Sequence, residues 1–261
     1  MFLNKNKKSD SIKLLDMEIS LSKYYLKILS PIIFFILTLA FFRNNFLILV
    51  YFLLFGLFGM AGEVAISFLW DIFYPQKFWG YQVQTLFKKY SSLLNLAPWG
   101  LGGFIYWFCF IKWPFIYLDF INSQLTKEDL AYTALIFFVS QFLVLAIRCL
   151  WVRSFKSDKF EFKKVNLFNL FYFFLPFLAS LGYLIVFIDS TFLPLFMVAG
   201  FIAFIFEYLF GKICYCVLGH SLWVYNYSSF DNKHITFLSI PFFIEGAFYF
   251  FWVGEFIKIL F

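Results

Sequence analysis

The chain has 261 residues, of which 63% are hydrophobic and 14% charged, and its formal net charge is +6. A soluble domain carries about half apolar and about a quarter charged residues, so a water-soluble globule is excluded. The basic residues gather beside apolar runs, which sets aside nucleic-acid binding as the reason for the charge.

Residues 1–23 read as a cytoplasmic tail. They lack the apolar core and small-residue cleavage site of a secretory signal, and 12–21 has the composition of a short interfacial helix. Seven apolar runs follow, at 24–42, 46–70, 96–118, 131–152, 167–189, 192–217 and 236–257. Each approaches the ~20 residues that cross a hydrocarbon core. Each must be helical, because a lone strand in lipid leaves its backbone groups unpaired. The fold class is therefore all-α: a polytopic bundle of about seven transmembrane helices.

With the N-terminus inside, 17 of the 21 Lys and Arg residues fall on the inner side, and only Arg43, Lys112, Lys127 and Lys258 fall outside. The positive-inside rule then predicts a cytoplasmic N-terminus and an external C-terminus in the cell (inner) membrane. Anionic headgroups of the lipid bilayer, the expected partner, account for the positive balance.

Two stretches match each other. Gly56, Glu63, Trp79, Tyr81, Pro98, Gly103 and Tyr106 recur as Gly200, Glu207, Trp223, Tyr225, Pro241, Gly246 and Tyr249. The separation is 144 residues through Tyr81 and 143 from Pro98 onward. The match predicts a first three-helix repeat at 24–121, a linker helix at 131–152 and a second three-helix repeat at 166–261. Such 3+1+3 parallel repeats are a known transporter plan.

Carboxyls within membrane helices are costly and are functional candidates by default. Glu63 and Glu207 occupy equivalent places in the second and sixth runs. They read either as a pair beside a central pathway or as anchors for their own following loops through Trp79/Tyr81 and Trp223/Tyr225. Glu245 in the seventh run falls where the first repeat has Gly102. It reads as an asymmetric site or as a group bonded to Tyr, Trp or Gln141. Arg148 is expected to reach the headgroups or to pair with Glu63 or Glu207. The loops carrying Trp79, Tyr81, Trp223 and Tyr225 are expected as interfacial aromatic belts, the first as an amphipathic interfacial helix, or else as lids dipping into the bundle. Cys214, Cys216, His220 and His234 lack the CxxC-type spacing of a zinc site. No phosphate-binding loop, nucleophile elbow or HExxH motif occurs, so neither a cofactor nor a metal is expected and a catalytic role has no motif behind it.

These residues resemble a family of small membrane proteins, the CmpB-like proteins labelled ABC-transporter type IV, and the similar transmembrane protein 229 group. The first matching segment is Gly59-Met60-Ala61-Gly62-Glu63-Val64. The second is Phe206-Glu207-Tyr208, Gly211, Trp223-Val224-Tyr225-Asn226, Ile235-Thr236 and Pro241. The likeness covers roughly residues 55–107 and 200–250. Val224 stands where the family has Asp, and Asn226 where it has Ser. The resemblance implies a multi-pass fold and carries no mechanism. Three functions follow as expectations: a permease component for a small solute working with a separate ATPase or other membrane subunit, a non-catalytic scaffold, or a membrane enzyme using Glu207, His220 and Arg148 on a lipid-linked substrate.

Overall fold

The structure, a computed structural model, describes residues 21–74, 76–107, 126–155, 165, 167–231 and 233–260. The tail and the second half of the third apolar run lie outside the described residues. Among the described residues seven helices are seen: α1 (Leu21–Phe42), α2 (Leu47–Phe73), α3 (Leu96–Tyr106), α4 (Lys127–Phe155), α5 (Leu167–Tyr183, continued by a π-helical turn to Ile188), α6 (Phe192–Leu218) and α7 (Ile240–Leu260). All but α3 are long and apolar enough to cross a bilayer. The chain is thus an all-α, multi-pass membrane protein. Exposed Phe34, Phe41, Phe42, Phe138, Phe142 and Phe187 on the helix exteriors are the surface that lipid solvates.

α3 is described over Leu96–Tyr106, and the chain before it has already travelled deep into the bundle. A Cβ on Gly56 would sit 2.6 Å from Leu96 O, and one on Gly100 would sit 2.6 Å from Phe52 O. The glycines therefore let α2 and α3 pack backbone to backbone. They also fix the depth at which α3 begins. Gly56 lies 17 residues before the end of α2 at Phe73, about 25 Å at 1.5 Å per residue. The second half repeats the arrangement: Gly200 of α6 packs against Ile244, with 2.6 Å from a built Cβ to Ile244 Cγ1. Gly200 lies 18 residues before the end of α6 at Leu218. Each inward helix is thus followed by a re-entrant segment that returns to mid-bundle before the next helix starts.

The re-entrant segments are not helical. The first contains β1 (Trp79–Tyr81), β2 (Thr85–Leu86) and β3 (Ser91–Ser92); the second contains β4 (Trp223–Tyr225), β5 (Ser229–Phe230) and β6 (Ile235–Thr236). This overturns the amphipathic helix expected for the first loop. β2 pairs with β3 and β5 with β6 inside their own segments, whereas β1 finds its partner in the other half of the chain, where no local pattern displays it. β1 pairs antiparallel with β4 in the register Trp79–Tyr225, Gly80–Val224 and Tyr81–Trp223. Gln82 N donates to Leu222 O at 2.9 Å and Asn226 N to Phe78 O at 3.0 Å, extending the ladder at both ends. Exchanging residues 144 apart maps every one of these pairs onto another. A local twofold axis therefore passes between Gly80 and Val224.

The separation of 144 persists beyond the strands. Ser92 and Thr236 accept hydrogen bonds from Leu94 N and Leu238 N in equivalent 3-10 turns, and α3 and α7 start at Leu96 and Ile240. The expected shift to 143 at Pro98 is therefore not a change of place along the helix. Leu101, not Gly102, is the counterpart of Glu245, and Gly102 matches Gly246. A Cβ on either of those glycines meets no atom within 4 Å.

α4 packs along α5, with Ser180 Oγ donating to Thr133 O at 3.2 Å and Tyr172 OH to Val144 O at 2.9 Å. An aromatic core joins the halves: Trp70 stacks on Tyr74 with centroids 3.8 Å apart and meets Phe78, Phe173 and Phe242.

Candidate functional site

Trp79, Tyr81, Trp223 and Tyr225 alternate along two paired strands, so all four side chains project from one face of the β1–β4 sheet. That face points into the bundle. Tyr81, Trp223 and Tyr225 are buried and Trp79 is partly so. The aromatics are lids dipping inward, which corrects the belt reading. Each indole is pinned the same way, Trp79 Nε1 donating to Tyr90 O and Trp223 Nε1 to His234 O, both at 3.1 Å.

Behind the lids lie the two carboxyls. Glu63 is buried on α2, ten residues or about 15 Å from the end of that helix. Tyr81 OH donates to its Oε1, Ser91 Oγ to Oε2 at 2.6 Å, and Trp99 Nε1 to Oε2 at 3.3 Å. Asn95 Nδ2 approaches both oxygens at 3.4 Å and also donates to Tyr81 OH. An ionised carboxyl offers about four acceptor sites, so this one is saturated. Its donors all come from the first re-entrant segment and the start of α3. Glu63 is the post that holds that segment at depth.

Glu207 on α6 receives Tyr225 OH on Oε1 at 2.7 Å. Its Oε2 is buried and has no hydrogen-bond partner among the described residues. The cause is substitution. The places of Ser91, Asn95 and Trp99 are taken, 144 residues on, by Ile235, Ser239 and Phe243. Ile and Phe cannot donate, and Ser239 Oγ turns to Thr236 O at 2.7 Å. Glu63 and Glu207 are near enough to interact electrostatically, across Tyr81 and Tyr225. Lys212, on the same helix as Glu207, is bound instead to Asp231 at 2.6 Å. That contact holds the Asp231 carboxyl below its ordinary range.

Glu245 lies on α7 between Phe242, which meets Trp70, and Tyr249, whose OH donates to Phe58 O at 3.0 Å. Its Oε2 is buried without a hydrogen-bond partner among the described residues, where no bond to Gln141, Tyr or Trp is seen. Arg148 is not a headgroup anchor. It is buried, its Nε donates to Ile72 O at 2.9 Å, and its guanidinium lies 4.9 Å from the Phe73 ring centroid. It caps the end of α2, nine residues or about 13 Å from Glu63 along the helix.

The three groups of the enzyme reading do not converge. His220 lies beyond the end of α6 at Leu218, which is 11 residues or about 16 Å from Glu207, and its Nδ1 contacts Ser221 O. Cys214 is buried and Cys216 exposed. Among the described residues no three His, Cys, Asp or Glu side chains cluster in a way that could hold a metal. Ser91, Asn95 and Trp99 were not singled out from sequence. Their signal is the polar interruption SSLLN before an apolar run, which gains meaning only once that stretch is placed beside Glu63. Comparison with protein-family models, curated proteins and solved structures returns no match.

Proposed function

We propose that this multi-pass membrane protein is a permease, or the membrane component of one, for a small solute. In this reading two three-helix units, duplicated in sequence, are related by a twofold axis along the membrane normal, with α4 as the linker. The N-terminus is cytoplasmic and the C-terminus external. Kinship with the CmpB-like proteins belongs to the same proposal, since the resembling segments lie on α2, α6 and the re-entrant segments after them.

The observation that carries the reading is the bared, buried Oε2 of Glu207 beside two re-entrant segments that meet on the axis. Non-helical backbone at membrane depth is tolerated where protein buries it or where it lines a cavity. Broken helices at a repeat interface are where transporters place their sites. Glu207 spends one oxygen on Tyr225 and leaves the other without an architectural task, unlike Glu63, which holds four donors.

Reconstituted vesicles on a solid support test it. Concentration jumps of amino acids, sugars, amines and organic acids are expected to give transient currents for one of these classes, lost in Glu207→Gln. Silence across all four classes sinks the permease reading in favour of a scaffold.

A further inference from the structure

The surroundings of Glu207 also specify what it takes. This step rests on the permease reading and names its solute class.

The wall around Glu207 is aromatic. Phe204 and Phe210 lie three residues to either side of it, on its own face of α6. Phe210 stacks against Trp223 with centroids 6.0 Å apart, and Phe204 meets Phe243 edge-on at 6.3 Å. Tyr225 supplies the single phenol. An anionic solute would need donors or cations here, and those of the first half have been replaced by Ile235 and Phe243. A dehydrated metal ion would need about six oxygen ligands, and one carboxylate with one phenol falls short. A carboxylate without competing donors, amid aromatic side chains, suits an organic cation.

The approach is lateral. α2 packs against α7, and exchanging residues 144 apart takes this seam to α6 and α3. The first is closed: a Cβ at Gly62 would lie 3.1 Å from the Tyr249 ring, and α4 covers this side through Trp252 Nε1 donating to Leu130 O and Arg148 to Ile72 O. In the second, Phe206 stands where Gly62 stands and Ile105 where Tyr249 stands. Phe206 is 56% exposed, Gly102 on the facing helix is exposed, and a Cβ there meets nothing within 4 Å. Glu207 itself is partly exposed whereas Glu63 is buried. The side of Phe206 and Gly102 is thus the less enclosed of the two, although Glu207 Oε2 itself is covered.

We propose that Glu207 binds a lipophilic organic cation, an amine or quaternary onium carrying apolar groups, which enters from the bilayer between α3 and α6.

Tetraphenylphosphonium is the probe, titrated calorimetrically into the purified full chain in lipid nanodiscs, with empty nanodiscs subtracted. The expected result is saturable binding at one per chain, weakened at least tenfold in Glu207→Gln. A second variant rebuilds the first site in the second half: Ile235→Ser, Ser239→Asn and Phe243→Trp together. It keeps the carboxylate but saturates it, and is expected to lose binding at least tenfold while remaining monodisperse. Gly102→Leu, filling the seam, is expected to slow association. Absence of saturable binding to the native chain overturns the proposal, as does equal binding by Glu207→Gln or by the triple variant. Glu207-dependent currents from a neutral or anionic solute, with no phosphonium binding, would leave the permease reading standing and remove the cation. Phosphonium binding without any current would do the reverse.

Discussion

Replacing each carboxyl by alanine separates a post from a site. In Glu63→Ala four donors lose their acceptor: Tyr81, Ser91, Asn95 and Trp99. Side-chain hydrogen bonds between membrane helices average about 0.6 kcal/mol each, giving a floor of about 2.4 kcal/mol for four. Ser91 and Tyr81 are buried, and a buried donor left unpaired costs about 1–3 kcal/mol, so the expected loss is about 2–5 kcal/mol. Glu207→Ala removes one bond, about 0.6 kcal/mol, and also removes a bare buried oxygen, which offsets it. Glu63→Gln falls between, since the amide keeps one acceptor oxygen but presents a donor to the Trp99 indole, which cannot accept. The assay is the temperature at which the monodisperse peak is half lost in mild detergent. By the slope for domains of this size, about 2–4 °C per kcal/mol, Glu63→Ala should fall by roughly 5–20 °C and Glu207→Ala by under about 3 °C. Equal losses, or a larger loss for Glu207→Ala, would refute the assignment of Glu63 as the structural post.

Two further perturbations follow from the same geometry. Gly56→Ala and Gly100→Ala each put a Cβ 2.6 Å from a backbone oxygen of the facing helix, so both should lower that melting temperature, whereas Gly102→Ala meets nothing and should be neutral or stabilising by up to about 1 kcal/mol. Gly80 and Val224 are directly opposed in the β1–β4 ladder, where Cα atoms sit about 5.5 Å apart, within disulfide range. The double variant Gly80→Cys/Val224→Cys, with a protease site between α4 and α5, should yield fragments that stay joined after mild oxidation and separate on reduction. Fragments that separate without reductant would exclude the pairing.

Helix positions were legible because lipid demands long apolar runs: the run at 192–217 became Phe192–Leu218 and the run at 46–70 became Leu47–Phe73. Legible too was the possibility that each Glu ties down its own following loop, since Tyr81 and Tyr225 stand 18 residues after Glu63 and Glu207 and both bonds form. The depth of the α3 start was hidden. Composition marks a run as apolar without saying that its first residue, Leu96, lies beside Gly56. The β1–β4 strands were hidden as well, because Trp79-Gly80-Tyr81 is too short to show alternation and its partner is 144 residues away. Arg148 misled through its position near a helix end, which suits headgroups and an open helix C-terminus equally; the Ile72 carbonyl decides between them.

The asymmetry of the two carboxyls has a topological source. In the proposed reading two like units meet on a twofold axis and present two equivalent seams, and the single linker helix lies along one of them. α4 lies along the α2–α7 seam, through Arg148 to Ile72 and Trp252 to Leu130. Side chains there can close tightly, as Gly62 and Tyr249 do. Among the described residues no such hydrogen bond from α4 is seen on the α3–α6 side, where Phe206 is exposed. A carboxyl on the covered side is best spent on architecture, and Glu63 has gathered four donors. On the uncovered side the same investment has been reversed, with Ile235 and Phe243 in place of two of those donors. Were the linker irrelevant, saturated and bared carboxyls would be equally acceptable on either side. Transplanting the donor set is the decisive contrast: Ser91→Ile and Trp99→Phe should destabilise the chain, while Ile235→Ser with Phe243→Trp should stabilise it and silence the site.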